Sequence, residues 1–470
     1  MVSKSKDQFV HLTSPGTWQN SFGRDSINAS NITRIARALK PQDENGISQI
    51  TYYQNGIGTG SRHPINSIFD GIAGQGLKEQ MQDAYGFLSL NYDMKDEIFF
   101  FGFSRGAFMV RAICSMILEF GILKRPGMTR FGDLFNIYMT ESEDRLVRLK
   151  VLQKELIENN LLVSGSEIVV QVVGCFDTVG TFGLPQLISP APSAYWFLDL
   201  TLNKNVKNAF HALALDETRL PFSPLLWFFD ESYPYLDKYK QVWFVGAHIN
   251  VGGGNMTYTQ KGTDMLTDSG TTLGRNTLAD GTLIWMIGQT AHLLGYDVPY
   301  LHGNIRAARS APSETSTDGY YKLDDTTREP CNVSPWYRGP IADNYAGVGL
   351  IYILLGTQIR QVLGYDPPVI FRKLRTNLQK LKELIKYVAK LLFSYLLTPH
   401  KLSRFVTKER IHKSVMDRGS YHESLRHLYW GLDGNIGSGK LKVDIEEYSD
   451  FEKDFWAEEC SVDYTGKKCV

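Results

Sequence analysis

The sequence predicts an α/β fold with a mostly parallel sheet, helical insertions and a helical C-terminal module, and three observations predict it. Short apolar runs of buried-strand length alternate with segments whose apolar residues recur at helical spacing. Three of those runs end next to a residue suited to proton transfer: Ser104, Asp177 and His248. The first of the three, Glu97–Phe101, enters Gly102-Phe103-Ser104-Arg105-Gly106 and is followed by a helical segment, Ala107–Leu118. A strand–crossover–strand order forces parallel pairing, so the strand ends face one side of the sheet and a site is expected there.

In chain order, Gln8–Leu12 reads as the first strand. Asn31–Leu39 reads as a helix with Ser30 as its N-cap, because a serine oxygen accepts an otherwise orphan amide of the first turn. The strand Gln49–Tyr53 follows, then the loop Gly56-x-Gly58-x-Gly60, then a helix through Leu77–Leu88. The loop lacks the G-x-G-x-x-G spacing and the Lys-Ser/Thr of a phosphate-binding loop, so it reads as a strand-exit turn. Beyond Ser104, a helical insertion spans about 131–160, the strand Glu167–Gly174 leads to Asp177, a second insertion spans about 185–237, and the strand Gln241–Gly246 leads to His248. Insertions over strand ends form lids or pocket walls, and the aromatic runs Tyr195–Leu198 and Leu225–Phe229 suit either core packing or a lipophilic pocket. His211 is placed on a helical run, and Asp216-Glu217 is read as a carboxylate pair with a structural part on the same helix.

A serine on a sharp strand-to-helix turn is held in a strained backbone that small flanking residues permit. Its hydroxyl then stands above the sheet edge, beside the amides of the helix N-terminus. A histidine deprotonates that hydroxyl and a carboxylate fixes its tautomer, so Ser104, His248 and Asp177 are the candidate nucleophile, base and acid. An Asp-Thr pair after a strand also suits a helix N-cap, and a histidine before three glycines also suits an anion-cradling turn. His211 and His412 are the rival bases.

Six blocks together resemble one family. They are Pro15–Trp18, Tyr52–Gly60, Gly102–Phe108, Phe176–Gly180, His211–Glu217 and Trp243–Gly254, with a weaker echo at Ile411–Val415. The chain over about 8–345 is similar to the type VI secretion phospholipase effector-like proteins of α/β-hydrolase type, a family whose catalytic domain also occurs in fungal proteins of unassigned role. The resemblance implies a serine hydrolase acting on esters, with Ser104, Asp177 and His248 as its triad. It departs from the family at Pro15, where an aspartate is usual, and at Asn250, where an aspartate is common. The oxyanion donors are expected to be the amide of Arg105, next to the nucleophile, and that of Gly16 or Thr17 after the first strand. Proline has no N–H and fixes φ, so Pro15 alters the donors and shape of that loop.

Composition bounds the rest. The 470 residues are 43% hydrophobic and 21% charged, as in ordinary globular proteins, and 50 basic residues balance 50 acidic ones. No net field favours nucleic acid, so none is expected as a partner. Five cysteines without a C-x-x-C pattern argue against a disulfide framework and a zinc site. The opening residues lack the apolar core of a secretory signal, and no apolar stretch approaches spanning length, so a soluble cytoplasmic protein is expected.

The polar segment Ser310–Trp336 marks the end of the catalytic domain, taken as 1–345, with a helical module and tail over 346–470. Within that module Val348–Val362 reads as an apolar helix. Ile370–Leu397 carries Lys373, Lys380, Lys382, Lys386 and Lys390 among apolar residues, a pattern that packs on its own domain or makes peripheral contact with an anionic membrane. The tail from Lys440 is expected to be loosely ordered. The expected function is hydrolysis of a carboxylic ester of a lipid or lipophilic molecule through an acyl-enzyme, without metal or organic cofactor. Acyl transfer, thioester cleavage or cyclisation of a bulky metabolite on the same triad is the alternative, and a non-catalytic binding protein on the same fold is the third.

Overall fold

The computed structural model describes residues 7–13, 29–54, 75–140, 142, 144–180, 201–217, 219, 222, 224–230, 232–254, 256–259, 271–274, 277–310, 405–406, 409–414 and 444–460. Its central sheet is made of β1 (Gln8–Thr13), β2 (Gln49–Gln54), β3 (Glu97–Phe103), β4 (Val170–Phe176), β5 (Val206–Ala214), β6 (Tyr239–Phe244), β7 (Glu409–His412) and β8 (Asp444–Glu446). The strand order is β8-β7-β6-β5-β4-β3-β1-β2, and every neighbouring pair is parallel. The described α-helices are α1 (Asn31–Ala38), α2 (Gln75–Asn91), α3 (Arg105–Glu119), α4 (Phe131–Tyr138), α5 (Arg145–Glu158), α6 (His248–Gly252), α7 (Thr277–Thr290), α8 (Val298–Ser310) and α9 (Asp450–Cys460). The fold is α/β, with an α/β-hydrolase-like parallel sheet, as the sequence predicts.

Helices cover both faces of the sheet, so its strands are apolar throughout rather than alternating. In β3, Ile98 and Phe100 enter one buried cluster with Met81 and Tyr85 of α2 and Phe108 of α3. Phe99, Phe101 and Phe103 enter the other, with Ile32 of α1 and Ile284 and Trp285 of α7. The N-cap is also as expected: the Ser30 hydroxyl accepts the Thr33 amide at 3.2 Å.

Four expectations are corrected. His211 and the residues around it form β5 instead of a helix, and Asp216 and Glu217 follow the strand end. Alanine and leucine favour helix in isolation, but burial between β4 and β6 overrides that weak local preference. The same strand divides the insertion expected over 185–237, so that stretch is no continuous lid. The insertion at 131–160 is helical, as α4 and α5, but it leaves from the far end of α3. Gly165, shortly before β4, packs against the Leu118 carbonyl, and Gln153 Nε2 donates to the Phe120 carbonyl at 2.6 Å, so the described part of this insertion packs at the far end of α3 from Ser104. Finally, the tail contains β8 and α9, and β7 and β8 complete the central sheet from beyond residue 345.

The glycine loop at 56–60, the helices expected at 348–362 and 370–397, and Pro15, Gly16 and Thr17 lie outside the described residues. Among the described residues no helix is long and apolar enough to cross a membrane.

Candidate active site

Ser104 stands between β3 and α3 with φ 59° and ψ −124°, a region that residues bearing a Cβ rarely enter. The turn is sharp enough that a Cβ on Gly102 would fall 2.6 Å from Ala107 Cα and 2.7 Å from its nitrogen, which explains the glycine before the nucleophile. The Ser104 amide donates to the Phe176 carbonyl at 3.0 Å, tying the elbow to the end of β4. Arg105 is the first residue of α3, so its amide belongs to the positive end of the helix. β1 ends beside the elbow, with Thr13 in register with Gly102.

Asp177 follows β4 with φ 40° and is fully buried. Its Oδ1 accepts the Ala214 amide of β5 at 3.1 Å, and its Oδ2 meets His248 Nδ1 at 2.6 Å. His248 opens α6 after β6, and its Nε2 lies 2.7 Å from Ser104 Oγ. Because the carboxylate can only accept, Nδ1 carries the proton and Nε2 is left to accept the serine hydroxyl. Burial lowers the His248 pKa from its ordinary value, against the opposing pull of Asp177. The imidazole is therefore neutral near pH 7 and ready to take a proton.

The three residues that the sequence singles out are thus brought into one hydrogen-bonded chain, and the rival histidines are not. Nε2 of His211 accepts the Thr178 amide at 3.0 Å, so its Nδ1–H faces Gln241 Oε1 at 3.2 Å. His412 is buried against Phe244, with Nδ1 accepting the Ser414 amide at 3.2 Å and Nε2 3.2 Å from Glu452. Both are structural. Cys175, two residues before the aspartate, is no rival nucleophile, since burial pushes its thiol up to about 12.

The glycines after His248 serve packing. A Cβ on Gly252 would overlap the Phe103 ring, which itself lies 4.7 Å from the His248 ring. Gly253 and Gly254 take φ of 80° and 110°. Gly252→Ala is expected to cost about 1–3 kcal/mol through overpacking, and to lower kcat more than it raises KM, since the displaced ring is pushed towards the imidazole. Thermal denaturation and steady-state kinetics read the two effects.

Sequence reasoning misses the residues that hold α6 in place. Asn31 Nδ2 donates to the Val251 carbonyl at 3.0 Å and to the Ala279 carbonyl at 2.9 Å, and Thr282 Oγ1 donates to the Val251 carbonyl at 2.7 Å. Arg34 binds Asn31 Oδ1 at 3.2 Å and Asp280 at 2.8 Å, completing a buried network between α1, α6 and α7. At Asn250, where the resembling family commonly has aspartate, the side-chain oxygen accepts the Ala247 amide at 3.0 Å, so a neutral side chain caps this turn. Glu217, Arg219 and Phe222 are also missed as neighbours of the histidine. The visible signal is the apolar run Phe210–Leu215, short enough for a strand and ending, like the run before Asp177, beside a carboxylate.

Residues 11–289 match the family described as type VI secretion system phospholipase effector Tle1-like, catalytic domain. An uncharacterized protein of Saccharomyces cerevisiae is 25% identical over 335 residues, covering 67% of this chain and 44% of that protein. The chain thus spans less than half the length of that relative. Among solved structures, a Tle1 effector bound to the VgrG spike of the type VI secretion system aligns with a TM-score of 0.37 at 16% identity, covering 65% of this chain and 79% of that one. An uncharacterized protein from Pseudomonas aeruginosa aligns with a TM-score of 0.32 at 14% identity, covering 65% and 51%.

Proposed function

This chain belongs to the family of Tle1-like phospholipase effector catalytic domains, and from that premise we propose that it is a serine hydrolase cleaving a carboxylic ester of a phospholipid or a similarly lipophilic molecule. The observation that carries the reading is the chain Ser104 Oγ, His248 Nε2, His248 Nδ1, Asp177 Oδ2, with contacts of 2.7 Å and 2.6 Å, set on a strained elbow.

Ser104 Oγ attacks the ester carbonyl carbon as its proton passes to His248 Nε2, and Asp177 stabilises the imidazolium formed. The Arg105 amide and an amide of Gly16 or Thr17 hold the oxyanion. The leaving alcohol takes the proton from Nε2, which leaves an acyl-serine. Water then attacks that ester with His248 as base, and the acid departs. No metal or organic cofactor enters these steps. The enzyme would work from the cytoplasm, and the lysine-bearing segment 370–397 would supply any peripheral contact with an anionic membrane.

Vesicles of a diacyl phospholipid test the reading. Release of free fatty acid is expected, with an acid limb of kcat/KM below pH 6.5, because burial lowers the His248 pKa and activity is lost only when that group is protonated. Acyl chains appearing mainly on an added alcohol or amine would make the enzyme a transferase instead. No acyl cleavage from any lipid or short-chain ester would remove the hydrolase reading.

A further inference from the structure

Resting on the serine-hydrolase reading, we propose that Glu217, Arg219 and Phe222 form a positioning clamp that fixes the His248 imidazole in line between Ser104 and Asp177. Glu217 is fully buried, and its Oε2 accepts the His248 backbone amide at 3.2 Å. The same carboxylate takes two parallel bonds from Arg219, at 2.8 Å from Nε and 2.7 Å from Nη2. The guanidinium of Arg219 lies 3.7 Å over the Phe222 ring, and Phe222 meets the His248 ring edge-on at 4.9 Å. The contacts close on themselves, from the backbone of His248 through Glu217, Arg219 and Phe222 to its own imidazole.

That closure has a mechanical consequence. Asp177 and Ser104 fix the two ring nitrogens, whereas the carbon part of the ring packs against Phe103 at 4.7 Å and Phe222 at 4.9 Å. Losing the Phe222 contact lets the ring tilt and water approach Nε2, which weakens proton transfer more than substrate binding. A bidentate fork and a flat cation are needed to hold Phe222 from behind, which arginine supplies and lysine does not. The pair also offers a signature that mere loop bracing would lack. Among the described residues the charged groups acting on His248 are Asp177, Glu217 and Arg219; Glu217 favours the protonated imidazole and Arg219 opposes it. Deleting either charge should therefore move the histidine in opposite directions.

The test uses the full chain with histidine-selective nitrogen-15 labelling, the His248 signal being assigned by its loss in His248→Gln. Glu217→Gln is expected to lower the His248 pKa and Arg219→Gln to raise it, each by about half a unit or more. On a short-chain nitrophenyl ester the acid limb of kcat/KM should move with it, kcat falling about 10-fold or more at nearly constant KM. Arg219→Lys and Phe222→Leu, which keep charge or bulk, should lower kcat without moving the limb. Shifts of the same sign, no shift, or unchanged kcat in Arg219→Lys and Phe222→Leu would overturn the clamp. An imidazole that shifts as described in a protein inactive on every ester would instead leave the clamp standing and remove the hydrolase reading.

Discussion

Ser104→Ala should fold as the wild type does and lose about 10⁴-fold or more of its ester turnover, because the covalent route vanishes while the oxyanion donors remain. The hydroxyl is the only group removed, and it bonds His248 Nε2 at 2.7 Å. Alanine keeps the unfavourable φ of 59°, so the strain of the elbow stays. Ser104→Gly should be equally inactive yet about 1 kcal/mol more stable than Ser104→Ala, since glycine enters that region without penalty. Turnover on a short-chain ester and thermal denaturation of the two variants check both parts. Near wild-type turnover in either would remove Ser104 from the chemistry.

Asp177→Asn is expected to cost about 10⁴-fold in kcat with the fold retained. Asparagine suits the φ of 40° at this position, and its oxygen can still accept the Ala214 amide. Its NH₂, however, donates where the carboxylate accepts. The His248 proton is then driven from Nδ1 to Nε2, where it faces Ser104 Oγ in place of the lone pair that should receive the serine proton. Nitrogen-15 spectra of the His248 ring report the tautomer directly, and steady-state kinetics report the loss. A wild-type tautomer together with a wild-type rate would contradict the part given to Asp177.

The site is legible in the sequence where it is local. The Phe99–Phe101 run, the flanking glycines and the apolar helix after them are contiguous, so backbone sterics and burial alone predict an elbow at Ser104. Asp177 and His248 are legible for the same reason, each lying a few residues past an apolar run. β5 is misread because His211-Ala-Leu-Ala-Leu has the composition of a helix, and only its place between β4 and β6 decides otherwise. The parts played by Asn31, Thr282, Glu217 and Phe222 are not legible, because each depends on a partner brought near by the fold. Asn31 and Val251 are 220 residues apart in the chain, a pairing no local pattern encodes. The periodicity of 131–160 yields its helices but not their place, which follows from the direction of α3 and lies away from the site.

The central claim is that Ser104 is a nucleophile activated by His248, and mass spectrometry of the intact protein after exposure to a fluorophosphonate measures this most directly. The account predicts a single adduct on the peptide containing Ser104, absent in Ser104→Ala and formed at least about 10²-fold more slowly in His248→Ala, since the uncatalysed hydroxyl is a poor nucleophile. An unmodified Ser104, or an adduct that forms as fast without His248, would contradict it.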